Sequence, residues 1–166
     1  MTVSTAASLH PPKSRQAALA SVALAGLAGG AVDFVYAGAI GLATGRTVER
    51  VWQSVAAAVI GKPAFSMGWT SATLGIVIHL AIATAMAAAF AIAAGRLPAL
   101  YRRPWTSGAV YGLGLYAVMY GVVLPLRWPT VFPRWDGLTS VFDVLAHIGV
   151  GLAIVFVLRA RTRAAP

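Results

Sequence analysis

The chain contains no cysteine. This excludes disulfides, iron–sulfur clusters, covalently attached c-type haem and a lipoprotein anchor. Charge is also scarce: 10% of the 166 residues are charged, where a soluble domain carries about 25%. Acidic residues are the scarcest, only Asp33, Glu49, Asp136 and Asp143. Long polar stretches are missing as well, and 59% of the residues are hydrophobic. Such a surface needs lipid as its solvent. The net charge of +9 does not point to nucleic acid. Its 13 Lys and Arg residues fall in short clusters between apolar runs, and none forms a basic helix or patch long enough to follow a phosphate backbone. In a membrane protein, clusters of this kind set topology. Hydrolytic motifs are absent too. There is no Gly-x-Ser-x-Gly and no His-Glu-x-x-His, and Ser140, Asp143 and His147 lie on one helix in an order unsuited to a triad.

Four apolar runs fill most of the chain, at about residues 17–43, 69–95, 104–125 and 137–158. At about 1.5 Å per residue each can cross a hydrocarbon core of about 30 Å. No Lys or Arg falls inside a run, and all five tryptophans lie at run ends or in connections, as an aromatic belt requires. The fold class is therefore all-α, an integral membrane four-helix bundle forming a single domain over residues 17–158. Residues 1–16 are polar and are expected to form a disordered cytoplasmic tail. The run that follows is too long for a signal peptide, so it is an uncleaved first span. Residues 159–166 are expected to form a basic cytoplasmic tail.

The longest connection, between spans one and two, contains a further helix. Thr47 suits an N-cap, with Glu49 in the first turn. Val48, Val51, Trp52, Val55 and Val59 fall largely on one side, which predicts a short helix lying in the membrane interface. Gly61-Lys62-Pro63 ends it. Gly61-Lys62 is not a phosphate loop, because the upstream glycine and the following Ser or Thr are missing. With four spans, both termini and the loop at 96–103 share a side. That side has eight basic residues and the other has five. The positive-inside rule then places both termini in the cytoplasm.

Each span contributes a polar side chain to one layer. Asp33, His79 and His147 lie ten residues inside the outer ends of spans one, two and four. That depth is about 15 Å, near the bilayer midplane. Asp143 is one turn nearer the outside, and Tyr116 of span three is level with the histidines. Gly26, Gly30, Ala37 and Gly41 share a helical stripe with Asp33. Small residues let a neighbouring helix approach, so Asp33 faces inward. Asp143 and His147 are at i and i+4 and share a face, which predicts a coupled side-chain pair.

This layer admits several readings. The first is structural: Asp33 with His79 and Asp143 with His147 as satisfied pairs that fix helix register in a scaffold or interaction protein. The second is a relay for protons or small solutes through Asp33, His79, Asp143 and His147, because such chains mark ion paths. The third is a b-type haem with His79 and His147 as axial ligands, Gly75 and Gly151 admitting the porphyrin edge. A histidine–carboxylate site for a transition metal is the weakest. No cofactor is required by the first two. Expected partners are the lipid bilayer and, for a transporter of only four spans, a second copy or another membrane protein. Arg102 and Arg103, beside Trp105, suit contact with anionic lipid head groups.

Val51-Trp52-Gln53-Ser54-Val55-Ala56, Ile60-Gly61-Lys62-Pro63-Ala64-Phe65, Gly75 and His79 resemble a family of small bacterial inner-membrane proteins, similar in kind to the YagU-like proteins. Arg103-Pro104, Tyr111-Gly112 and Val122-Val123-Leu124-Pro125-Leu126 continue the resemblance. It implies a bacterial cytoplasmic membrane and a four-helix fold, and it transfers no catalytic residues.

Overall fold

The structure, a computed structural model, describes residues 13–163. Four helices are long and apolar enough to cross a membrane. α1 is Lys13–Ala43, α2 is Val48–Ile60, α3 is Gly68–Arg96, α4 is Pro104–Val118, α5 is Leu124–Arg127 and α6 is Leu138–Arg163. Short 3-10 turns at Lys62–Ser66 and Pro98–Tyr101 lead into α3 and α4. Among the described residues there are no strands. The chain is an all-α, multi-pass membrane protein.

The spans sit where the apolar runs predict, with corrections at the ends. α1 begins at Lys13, so residues 13–16 of the expected disordered tail are helical; residues 1–12 lie outside the described residues. α6 continues to Arg163, so the expected basic tail from 159 is largely the last turns of a helix; residues 164–166 are outside the described residues. No helix breaker stands between Leu158 and Arg163, and Arg161 and Arg163 suit the negative end of the helix dipole. The third span runs on past 125 to Arg127, and α4 and α5 are joined by a π turn at Met119–Val123. Pro125 supplies the reason. It lacks an N–H, and its ring crowds the carbonyl four residues back, so the helix widens there and continues.

α1 is the central element. It packs on α6 along one side and on α3 along the other, while α4 packs on the far side of α6 and α2 on α3. The small-residue stripe of α1 makes this approach, as expected: a Cβ on Gly26 would stand 2.6 Å from Thr84 Cα. α4 and α6 come equally close, since a Cβ on Gly112 would meet Ile148 Cα at 2.6 Å. At the end near the termini the bundle is filled by Ala25, Phe90, Leu115, Ile154, Val155 and Leu158. Phe90 meets Tyr101 and Tyr111 edge-on, and Tyr111 donates to the Met86 carbonyl at 2.7 Å, which ties α4 to α3. Half of the bundle is thus sealed by packed side chains.

The short helix between spans one and two is present, capped by Thr47 Oγ1, which accepts from Arg50 N at 3.1 Å. One side of it is packed on the spans. Trp52 is 1% exposed, stacks on Phe34 with ring centroids 4.3 Å apart, and meets His79 at 5.2 Å. Gln53 Nε2 donates to Glu49 and to the Gly68 carbonyl. Val51, Trp52 and Ala56 of α2 are buried against α1 and α3, while Val48 and Val59 stay exposed. Gly75 of α3 and Gly41 of α1 make room for α2.

Candidate functional site

The structure places the residues of the expected polar layer in two clusters. The first joins α1 and α3. His79 Nδ1 lies 3.7 Å from Asp33 Oδ2, within ion-pair range and beyond a hydrogen bond. His79 Nε2 is 3.0 Å from the Gly30 carbonyl. A carbonyl only accepts, so Nε2 carries the proton of that contact and Nδ1 is left facing the carboxylate. Gly30 brings this about, because a helix with a side chain there would press on Leu80 and Ala83.

The second cluster joins α1, α4 and α6. His147 Nδ1 is 2.8 Å from the Asp143 carbonyl oxygen, so Nδ1 donates and Nε2 remains as the basic nitrogen. The Asp143 carboxylate accepts from the Tyr36 hydroxyl at 2.6 Å. The predicted side-chain pair between Asp143 and His147 is therefore corrected. Both residues share a face, but the His147 ring folds back onto the preceding turn. The carboxylate is satisfied from another helix. Tyr116 stands edge-on to His147 at 5.6 Å and stacks on Tyr120 at 4.5 Å. Tyr120 also meets His147 at 5.7 Å. Neither Tyr36 nor Tyr120 is singled out by the sequence pattern. Tyr36 is three residues after Asp33 and so lies on its face of α1, which is the signal that could have found it.

Between the clusters the bundle is hollow. α1 and α4 both pack on α6 without packing closely on each other. The cleft they leave is a cavity of about 520 Å³. Its lining begins at the loop face opposite the termini, at Thr44, Arg46 and Arg134, and descends to Tyr36, Asp143 and Asp33. Arg134 is paired with Asp136 at the rim. A smaller cavity of about 140 Å³ lies deeper, bordered by Gly30, His79, Ala83 and Val150. Asp33, Val55, Met119 and His147 border both. Polar groups from both clusters thus border two adjoining cavities, the wider of which reaches the loop face.

Both glycines assigned to a porphyrin edge are occupied by protein. Gly75 abuts the Trp52 backbone of α2, and Gly151 abuts Gly108 and Gly112 of α4. The space beside His79 and His147 that a haem requires is filled on those sides by helices. Among the described residues no three His, Asp or Glu side chains converge as metal ligands. Arg102 and Arg103 are exposed at the terminal face beside Trp105, which is 70% exposed. They lie far from the cavity, on the other end of the bundle.

The class defined by these features is a multi-pass membrane protein with a cavity bordered by Asp, His and Tyr side chains. No family model, curated protein or solved structure matches the chain.

Proposed function

We propose that this protein admits protons and small solutes from the face opposite its termini, and that the Asp33–His79 and Asp143–Tyr36–His147 clusters handle them. The observation that carries the reading is the pair of adjoining cavities bordered by both clusters. A polar layer that only fixes helix register keeps its groups packed away from solvent. Here Asp33 and His147 border open space on both sides. The histidines suit proton exchange. Each ring has one nitrogen committed to a backbone carbonyl, which leaves the other to take and release a proton without losing its anchor. Protonation of His79 at Nδ1 would place the cation beside the Asp33 carboxylate, which offsets its cost in the membrane interior. A single chain forms the cavity, so the reading does not require an oligomer.

We also infer that the open face is the outer face of a bacterial cytoplasmic membrane. The eight-to-five excess of basic residues on the terminal side supports that orientation, and the resemblance to YagU-like proteins supports the compartment. Reporter fusions at Gly95 and Pro166 are expected to report the cytoplasm, and a fusion at Pro129 the opposite side. A fusion at Pro166 reporting the outer side would reverse the orientation.

Proton flux tests the functional reading. Purified protein in liposomes, with a pH gradient and an entrapped pH-sensitive dye, is expected to conduct protons above empty vesicles. The combined change Asp33→Asn and His79→Gln is expected to return flux to the empty-vesicle rate while the detergent melting curve is kept. A wild-type flux equal to that of empty vesicles, in the presence and absence of added solutes, would return the layer to a structural role.

A further inference from the structure

The wide cavity carries a chemical preference. Of its charged groups, Arg134 and Asp136 neutralise each other at the rim, and Arg46 stands at the entrance. Inside, the fixed charges are carboxylates, Asp33 and Asp143. Asp33 has the His79 imidazole beside it. Asp143 has only neutral phenols, those of Tyr36 and Tyr120: among the described residues no Arg, Lys or His nitrogen lies within ion-pair distance of it. A carboxylate in a membrane-spanning helix, facing an open space and lacking a cationic partner, attracts one from solution.

The walls near Asp143 are aromatic. Tyr36 and Tyr120 line the same cavity, and Phe132 stands edge-on to Tyr120 at 5.9 Å with the Arg134 guanidinium over its own ring. Aromatic rings around a carboxylate match an organic ammonium ion, which takes a Coulombic contact from the oxygen atoms and cation–π contacts from the rings. Aliphatic Ile40, Val51 and Leu124 on the remaining wall suit the carbon substituents of such an ion better than the hydration shell of a metal cation. About 520 Å³ holds a small molecule of this kind with accompanying water.

We propose that the cavity is a binding site for small organic ammonium ions, with Asp143 as the counter-ion and Tyr36 and Tyr120 as the aromatic wall. This rests on the reading that the cavity opens to solution at the loop face. The absence of cysteine from the chain makes the two separable. Ile40→Cys introduces the sole thiol halfway along the cavity, and Val131→Cys introduces one on the exposed loop as a reference. Each is treated in liposomes with a trimethylammonium-bearing methanethiosulfonate and with its sulfonate-bearing counterpart. Relative to the loop thiol, the thiol at position 40 is expected to favour the cationic reagent by about tenfold or more, as a focused negative site does. Tetramethylammonium is expected to protect it, and Asp143→Asn is expected to erase the preference. Equal relative rates with both reagents and no protection would overturn the ammonium site while leaving the cavity open. Failure of both reagents at position 40, with the loop thiol reacting normally, would overturn the open cavity and this proposal with it.

Discussion

Gly75→Val is expected to prevent the native bundle from forming. At Gly75 the backbone of α2 crosses α3 so closely that an added Cβ would overlap the Trp52 carbonyl and stand 3.2 Å from Ala56 N. A flexible side chain can rotate away from an intruding methyl group, but a helix backbone cannot. Overpacking of an ordinary core costs about 1–3 kcal/mol, and a collision with main chain exceeds that range. Displacing α2 would also uncover Trp52 and break its stack on Phe34. It would strip Gln53 of its acceptor at Gly68 and take away one wall of the small cavity at Val55. In size-exclusion chromatography of detergent extracts, Gly75→Val should lose the monodisperse peak, and Gly75→Ala should be impaired to a lesser degree. Gly95→Val is the control, because nothing lies within 4 Å of a Cβ there. A normal peak for Gly75→Val would mean that α2 does not cross at this point.

Tyr36→Phe is expected to destabilise the protein as much as any single loss of a hydroxyl in the bundle. It removes the Tyr36 donor from the Asp143 carboxylate and leaves Tyr120 as the phenol beside it. Loss of one partner from a buried polar pair costs about 1–3 kcal/mol, more when the survivor is charged. Access to the cavity lets water compensate, which places the expected value near the lower end, about 1 kcal/mol. Asp143→Asn keeps an acceptor and should cost less than Asp143→Leu. Tyr36→Phe combined with Asp143→Leu should cost less than the sum of the two, by about 0.5 kcal/mol or more. Asp143→Leu combined with His147→Leu should be close to additive, since the imidazole contacts only the Asp143 backbone. Thermal melts of these variants in one detergent decide this. Coupling in the Asp143–His147 pair and none in the Tyr36–Asp143 pair would reverse the assignment.

The spans were legible because the signal is length. Few structures other than a membrane span need an unbroken apolar run long enough to cross a hydrocarbon core, and an even number of spans fixes which ends share a side. That same constraint made depth countable, which is why Asp33 and His79 could be matched across two helices before their contact was visible. The Asp143–His147 contact was not legible in the same way. Helical spacing brings two residues to one face and says nothing of whether the ring meets the side chain or the backbone of its neighbour. Tyr36 looked like one more aromatic near a membrane boundary, and only the packing of α1 on α6 turns its hydroxyl toward Asp143. The cover over Trp52 of α2 was not legible for a related reason. Amphipathicity reports that one face is apolar and does not distinguish lipid from protein as what covers it. The cavity itself has no sequence signature, because it is the gap left where α1 and α4 fail to meet.

The asymmetry between the hollow half and the packed half has an electrical consequence. If saline fills the cavity, as the proposed function requires, the potential of the solution at the loop face extends to its floor. A transmembrane voltage then drops almost wholly across the seal formed by Phe90, Leu115, Ile154 and Leu158, over a fraction of the membrane thickness. A proton or cation entering from the open face crosses little of the field, and its arrival at Asp33 or Asp143 should depend weakly on voltage. Transfer from the floor to the other side crosses nearly all of it, at about 2.3 kcal/mol per unit charge for each 100 mV.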